Sequence, residues 1–218
     1  RGTLQRLHPA PPGAYRIRGP NWTEELTAIV LCGGSGARLV GTDKPLAEVH
    51  GRPLVEYVIE ALTPQVGGFV LACGREPERY EPLGQPTAVD FQPGDGPLGG
   101  IVSALPHVAT EWILTHPADV PFADAALVSR LASAAEADGV AVPRAAGRRQ
   151  NLVLLLSRQR AHELARFYRH GGRAVKDWLD EQAVVSVDLD DLSASFFNVN
   201  TAADLAECER RLQDRAET

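Results

Sequence analysis

Residues 31–45 read Leu-Cys-Gly-Gly-Ser-Gly-Ala-Arg-Leu-Val-Gly-Thr-Asp-Lys-Pro, placing four glycines and two cations directly after the apolar run 27–31. Bare backbone beside an arginine and a lysine is suited to a phosphate chain. Gly33 and Gly34 let the main chain approach without a Cβ in the way, and successive N–H groups can form an anion nest. Arg38 can fork onto phosphate oxygens. Lysine occurs only at positions 44 and 176, and Lys44 offers the compact point charge that arginine does not freely replace. The loop is neither common glycine motif. Asp43 and Pro45 flank Lys44, which breaks G-x-x-x-x-G-K-[ST], and Leu39 stands where G-x-G-x-x-G from Gly34 needs its third glycine.

Two carboxylates lie where they can join this loop. Asp119 follows the apolar strand expected over 111–115 by way of His116-Pro117-Ala118. A carboxylate there can hold Mg2+ against a triphosphate, because magnesium takes one or two carboxylates plus phosphate oxygens. Its competing role is to start the next helix, for which Asp124 is also available. Asp90 ends the short strand expected over 87–90, where a turn-initiating role competes. Asn198 and Asn200 flank Val199, and strand alternation would point both amides the same way, toward a cleft. No Ser-His-Asp or Cys-His set is present. That fits an attacking phosphate, already anionic near neutral pH and in no need of a general base.

The elements that must position these residues alternate. Strands are expected over 27–32, 68–73, 87–90, 111–115 and 139–143. Helices are expected from Pro53 to Leu62, from Pro97 to Leu105, and over 123–136. Later come a long apolar strand over 148–157, a helix around 159–168, a second containing Arg173, Val175, Trp178 and Leu179, and a strand at 184–187. A last helix starts with Thr201 and Asp204 at capping-box spacing. This β-α-β order predicts an α/β fold with a mostly parallel sheet and helices on both faces. Such sheets bind ligands beyond the carboxyl ends of their strands, where the glycine loop, Asp90 and Asp119 would meet.

The chain has 218 residues, 44% of them hydrophobic, enough for one sizeable α/β core. Its net charge of -6 argues against a broad nucleic-acid surface. No apolar run is long enough to span a bilayer, so the expectation is a cytoplasmic protein with no membrane partner. Cys32, Cys73 and Cys208 show no metal-ligand spacing, and Cys32 and Cys73 are expected to be small buried hydrophobes at strand ends. Residues 1–25, rich in Arg, Pro and Gly, are expected to be a poorly ordered leader. A single domain is expected over 26–218.

The ordered set "LCGGSGARLVGTDKPL", "GRPLVEYVIEAL", "GPLGGIVSAL", "ADVPF" and "FFNVNTAADL" resembles the nucleotidyltransferases that make molybdenum cofactor dinucleotides. Leu31, Gly33, Gly34, Arg38, Asp43 and Lys44 fall on that family's first signature. The resemblance covers nearly everything after residue 26. It implies a three-layer, mostly parallel Rossmann-like sheet of the nucleotide-diphospho-sugar-transferase type, with a nucleotide-binding half (26–144) and an acceptor half (145–218). It implies transfer of GMP from GTP to the terminal phosphate of molybdopterin, releasing pyrophosphate. Arg38, Lys44 and Asp119 would be catalytic. Leu31, Cys32, Gly33, Gly34, Lys44, Gly74, Asp90 and Asp119 would hold the nucleotide, and Asp119 would hold Mg2+, with Mn2+ as a substitute. Arg173, Lys176, Asn198 and Asn200 would face the acceptor. The L-x-G-G and G-P-L-G-G forms resemble guanine-using members. A sister enzyme using CTP or another phosphate acceptor, and a non-catalytic nucleotide-binding protein, are the alternatives. Transient contacts with proteins that deliver or receive the cofactor are a further expectation. The chain departs from relatives at Gly74, where only backbone can contact a nucleotide, at Gln150-Asn151 before the long strand, and at Leu39-Val40.

Overall fold

The computed structural model describes residues 22–33, 38–39, 42–92 and 94–216; the side chains of Trp22, Arg38, Thr42 and Ala216 are outside that description. Eight strands form one sheet: β1 (Leu26–Leu31), β2 (Gly68–Ala72), β3 (Thr87–Ala88), β4 (Trp112–Pro117), β5 (Val140–Ala145), β6 (Arg148–Arg149), β7 (Leu154–Ser157) and β8 (Ser186–Asp188). Their order is β6-β5-β7-β4-β1-β2-β3, with β8 also paired to β5. β1 pairs in parallel with both β2 and β4, and β2 in parallel with β3. β7 runs antiparallel between β4 and β5. All six residues of β1 are buried, as a parallel strand covered on both faces requires.

Alternation along β1 divides the core. Ala28, Val30 and Cys32 face a layer containing α1 (Leu54–Leu62) and α3 (Leu127–Asp138). Ile29 and Leu31 face α2 (Gly96–Ala104), α4 (Arg158–Arg169) and α5 (Val175–Glu181). A smaller cluster, including Leu39, Val49, Phe122, Val199 and Cys208, forms beneath α6 (Ala202–Ala216). The three-layer expectation holds. Among the described residues, no helix is long and apolar enough to cross a membrane.

Several local expectations change. The long strand expected over 148–157 is broken at residues 150–153 by a turn closed by the Val153 N–H on the Gln150 carbonyl (2.9 Å). Gln150 and Asn151, where a departure from relatives is expected, fall in that turn. α3 starts at Leu127 rather than 123, because Asp124 first makes a turn with its carboxylate accepting from the Ala126 N–H (2.8 Å). Arg173 lies ahead of α5, not within it. Of the leader expected over 1–25, residues 1–21 lie outside the described part, but Trp22–Glu25 belongs to the fold as a 3-10 turn. Gly67 packs so close to it that a Cβ there would lie 2.7 Å from the Thr23 carbonyl oxygen. The boundary between halves expected at residue 144 falls inside β5. The later residues complete the same sheet, since β7 is inserted between β4 and β5.

Leu114, on the strand beside β1, is fully buried against α3 and its neighbours. Leu114→Ala should destabilise the protein by about 2–5 kcal/mol, the range for a partly relaxed core cavity, measurable by urea unfolding.

Candidate active site

The site is built where the parallel strands end together. Past β1, the N–H groups of Cys32 and Gly33 both donate to the Ala72 carbonyl at the end of β2 (2.9 and 3.0 Å). This draws the two following loops into contact. A Cβ on Gly33 would stand 3.1 Å from the Gly74 nitrogen, so a side chain there would have to push the loops apart. Gly74 itself has φ +70, a conformation glycine adopts without cost. Its carbonyl accepts the Asp90 N–H (2.9 Å), while the Cys73 N–H reaches the Ala88 carbonyl (3.0 Å). On the other side, the Ala118 N–H donates to the Leu31 carbonyl (3.1 Å). The ends of β1, β2, β3 and β4 are thus linked by main-chain bonds alone.

Beyond that edge stands a charged cluster. Lys44 follows the hairpin in which Arg38 pairs with Asp43, and it opens a short 3-10 turn. Its Nζ donates to Asp119 Oδ2 (3.1 Å) and to Asn200 Oδ1 (2.7 Å). Lys44 and Asp119 side chains are 16% and 22% exposed, so this pair is partly shielded while still reachable from solvent. Asp119 is fixed from behind, since its carbonyl accepts the Val199 N–H (2.9 Å). Asn200 is fixed by a capping box: Asp204 Oδ2 accepts the Asn200 and Thr201 N–H groups, and Thr201 Oγ1 accepts the Asp204 N–H (3.0, 2.8 and 3.1 Å). With Asp124 occupied at the turn before α3, Asp119 has no capping duty. Asp43 is held by Arg79.

A narrow crevice opens at the ends of β1 and β2, lined by Leu31, Gly33, Ala72, Asp90, Gly96, Pro97 and Gly100. Burial, and then the nearby Asp95, push the Asp90 carboxyl above its ordinary range. Such a group favours a partner that donates hydrogen bonds.

The other expected residues are distributed as follows. Gly34 lies outside the described residues, as does the Arg38 side chain. Cys32 turns its sulfur into the core, its N–H goes to Ala72, and its carbonyl accepts the Tyr80 hydroxyl (3.4 Å); any nucleotide contact at this position therefore competes with existing bonds. Burial first, then Cys73, raise its thiol pKa. Asn198 does not share the direction of Asn200. Residues 197–200 form no strand, and the Asn198 amide donates to the Phe196 carbonyl (3.1 Å). Lys176 is exposed and pairs with Asp180 (3.3 Å). Arg173 reaches Asp95 and Tyr168. The residue list from sequence omitted Ala72, Gly96, Pro97 and Gly100. The "GPLGG" motif already pointed to the last three, but Ala72 carries no signal beyond its place at a strand end.

No group of three or more metal-ligating side chains occurs among the described residues. The single carboxylate of Asp119 fits a magnesium ion that takes its other oxygens from phosphate and water. His116 is fully buried behind Asp119, with Nδ1 2.9 Å from the Pro117 carbonyl oxygen, and burial lowers its pKa to about 4.

A glycine at the end of β1, a shielded lysine–aspartate pair and a glycine-lined crevice at one sheet edge accord with a class that the family comparison shows, the nucleoside-triphosphate transferases. Residues 28–186 match the model of the MobA-like NTP transferase domain, and the chain belongs to that family. It is 37% identical over 196 residues to the molybdenum cofactor guanylyltransferase of Cupriavidus necator, covering 86% of this chain and 98% of that protein. It is 34% identical to the enzyme of the same name from Serratia proteamaculans (89% and 98% covered). The crystal structure of molybdopterin-guanine dinucleotide biosynthesis protein A from Archaeoglobus fulgidus superposes with a TM-score of 0.70 at 26% identity, covering 86% of this chain and 99% of that one. The 2-C-methyl-D-erythritol 4-phosphate cytidylyltransferase of Thermus thermophilus shares the fold (TM-score 0.65, 19% identity, 85% and 98% covered).

The buried imidazole has a measurable consequence. Its folded pKa of about 4 lies below the ordinary 6.5, so the unfolded chain binds a proton that the native state refuses. Stability from this group is complete above pH 6.5 and is lost as pH falls toward 4. The slope approaches about 1.4 kcal/mol per pH unit between those values. Urea unfolding across that window should show His116→Gln flattening the slope relative to wild type.

Proposed function

We propose that this chain transfers the guanylyl group of GTP to the terminal phosphate of molybdopterin. The observation that carries the reading is Lys44, bonded at once to Asp119 and Asn200 at the common edge of β1 and β4. Two similar proteins, each nearly covered end to end, are molybdenum cofactor guanylyltransferases. The site has the parts that phosphoryl chemistry asks for, namely positioning and charge neutralisation, with no protein nucleophile.

In this reading the triphosphate lies along the glycine loop, with Lys44 against its oxygens. The base lies over the mouth of the crevice, where the Gly33 and Gly96 carbonyls and the Asp90 carboxylate face its donor edge. An acceptor phosphate oxygen forms a bond to the α-phosphorus, the bond to the bridging oxygen breaks, and pyrophosphate departs. Because the acceptor is already anionic, no side chain has to remove a proton. Asp119 would hold Mg2+, or Mn2+ in its place, and the ion would supply neutralisation of the phosphates. Asn200 keeps the lysine from folding wholly onto Asp119, and Arg38 is the second cation of the same loop.

The test is pyrophosphate release from GTP, CTP and ATP, each with and without molybdopterin. Release should require GTP and the acceptor together, and chelation should abolish it. Lys44→Ala and Asp119→Ala should each reduce turnover at least about a hundredfold with unfolding midpoints near wild type. Equal release from CTP would transfer the reading to a cytidylyl enzyme, and binding without release would leave a non-catalytic protein.

A further inference from the structure

Asp95 immediately precedes α2, whose first residues line the crevice, yet its carboxylate makes no bond to that helix. It is instead gripped from the opposite half of the chain. The Tyr168 hydroxyl, at the end of α4, donates to Oδ2. Arg173 Nε lies 3.8 Å from Oδ1, and its guanidinium stands 5.3 Å over the Tyr168 ring. The Asp95 side chain is only 12% exposed as a result.

The surrounding backbone is shaped for this contact. A Cβ on Gly99 would fall 2.5 Å from the Asp95 Cβ, so glycine there admits Asp95 against the helix. Gly171 has φ +99, and a Cβ on Gly172 would strike the Phe167 ring at 2.2 Å. These two glycines return the chain so that Arg173 lies over Tyr168, where its guanidinium also donates to the carbonyls of Tyr168 and Gly172 (3.2 and 2.8 Å). The groups sense one another: the Asp95 bond is the first cause raising the Tyr168 pKa, with Arg173 opposing and Asp90 adding to it.

We propose that Tyr168 and Arg173 form a latch on Asp95, positioning the start of α2 and screening this carboxylate from an anionic nucleotide in the adjoining crevice. The proposal rests on the nucleotidyltransferase reading for its ligand. Tyr168 is a positioning residue, acting on the nucleotide through Asp95. Without its hydroxyl, Asp95 adds unscreened negative charge beside Asp90 at the crevice that takes the base, and the nucleotide, anionic as a whole, binds there less well. The nucleotide-binding half and the acceptor-side helices are thereby coupled at one ionised contact.

Three variants test it in the full-length chain: Tyr168→Phe, Asp95→Asn, and the two combined. Tyr168→Phe should raise KM for GTP about fivefold to tenfold, the order expected when a charge-assisted hydrogen bond is lost. Its kcat should remain within about twofold, since the effect falls on binding. Adding Asp95→Asn should restore KM, because the offending charge is gone. A loss of packing alone would not be rescued this way. An unchanged KM in Tyr168→Phe, an equal fall in kcat, or failure of the rescue would overturn the latch. A nucleotide-free arm separates it from the functional reading. The Tyr168 ring, followed by NMR, should titrate above the ordinary tyrosine range in wild type and lower in Asp95→Asn. Identical titrations would refute the latch, whereas wild-type protein inert toward GTP would refute only the assigned reaction.

Discussion

The molecule depends on the shared Ala72 carbonyl, which accepts N–H groups from both Cys32 and Gly33. That one acceptor draws the ends of β1 and β2 so close that a Cβ on Gly33 would stand 3.1 Å from the Gly74 nitrogen. Everything functional is arranged around that closeness. Gly74 turns through positive φ beside Gly33, its carbonyl holds Asp90, and the crevice opens between these loops and α2. In the proposed reading, the edge that would receive phosphate is a property of main-chain geometry, and side chains are added to it. The two cations of the loop and the carboxylates of the neighbouring strands can act only because the backbone there is already committed.

The charge arrangement follows a similar logic. Lys44 is partly buried and would be costly there without a partner. Asp119 supplies one, and Asn200 supplies a neutral second acceptor. A carboxylate alone would bind the ammonium strongly and make it hard to exchange for phosphate. The amide shares the load without adding charge. Asp90 and Asp95 present the reverse case, two acids near one another, the first above its ordinary pKa and the second surrounded by a phenol and a guanidinium.

Much of this was legible in the sequence, and the limits have physical causes. The order of strands and helices, the glycine loop and the meeting of Lys44 with Asp119 follow from periodicity and from where parallel strands end. The Thr201–Asp204 box was readable because capping is local. The break in the strand at 150–153 was not, since an apolar run such as 152–156 looks alike whether or not its first residues turn. The paired direction assigned to Asn198 and Asn200 rested on strand alternation, and the segment is not a strand. Arg173 and Lys176 looked like acceptor ligands for being cations beside glycines. In the folded chain they pair with Asp95, far away in sequence, and with Asp180, four residues on, and neither partnership was read from the loop's composition.

One tie spans an unusual length of chain. Asn200 stands 156 residues beyond the lysine it binds, and Val199 beside it anchors Asp119 from behind. During synthesis a ribosome that has finished α5 has produced nearly the whole sheet but no finished site. Lys44 and Asp119 must wait for a segment made close to the last helix. Completion of the Lys44–Asp119–Asn200 cluster is thus tied to completion of nearly the whole chain.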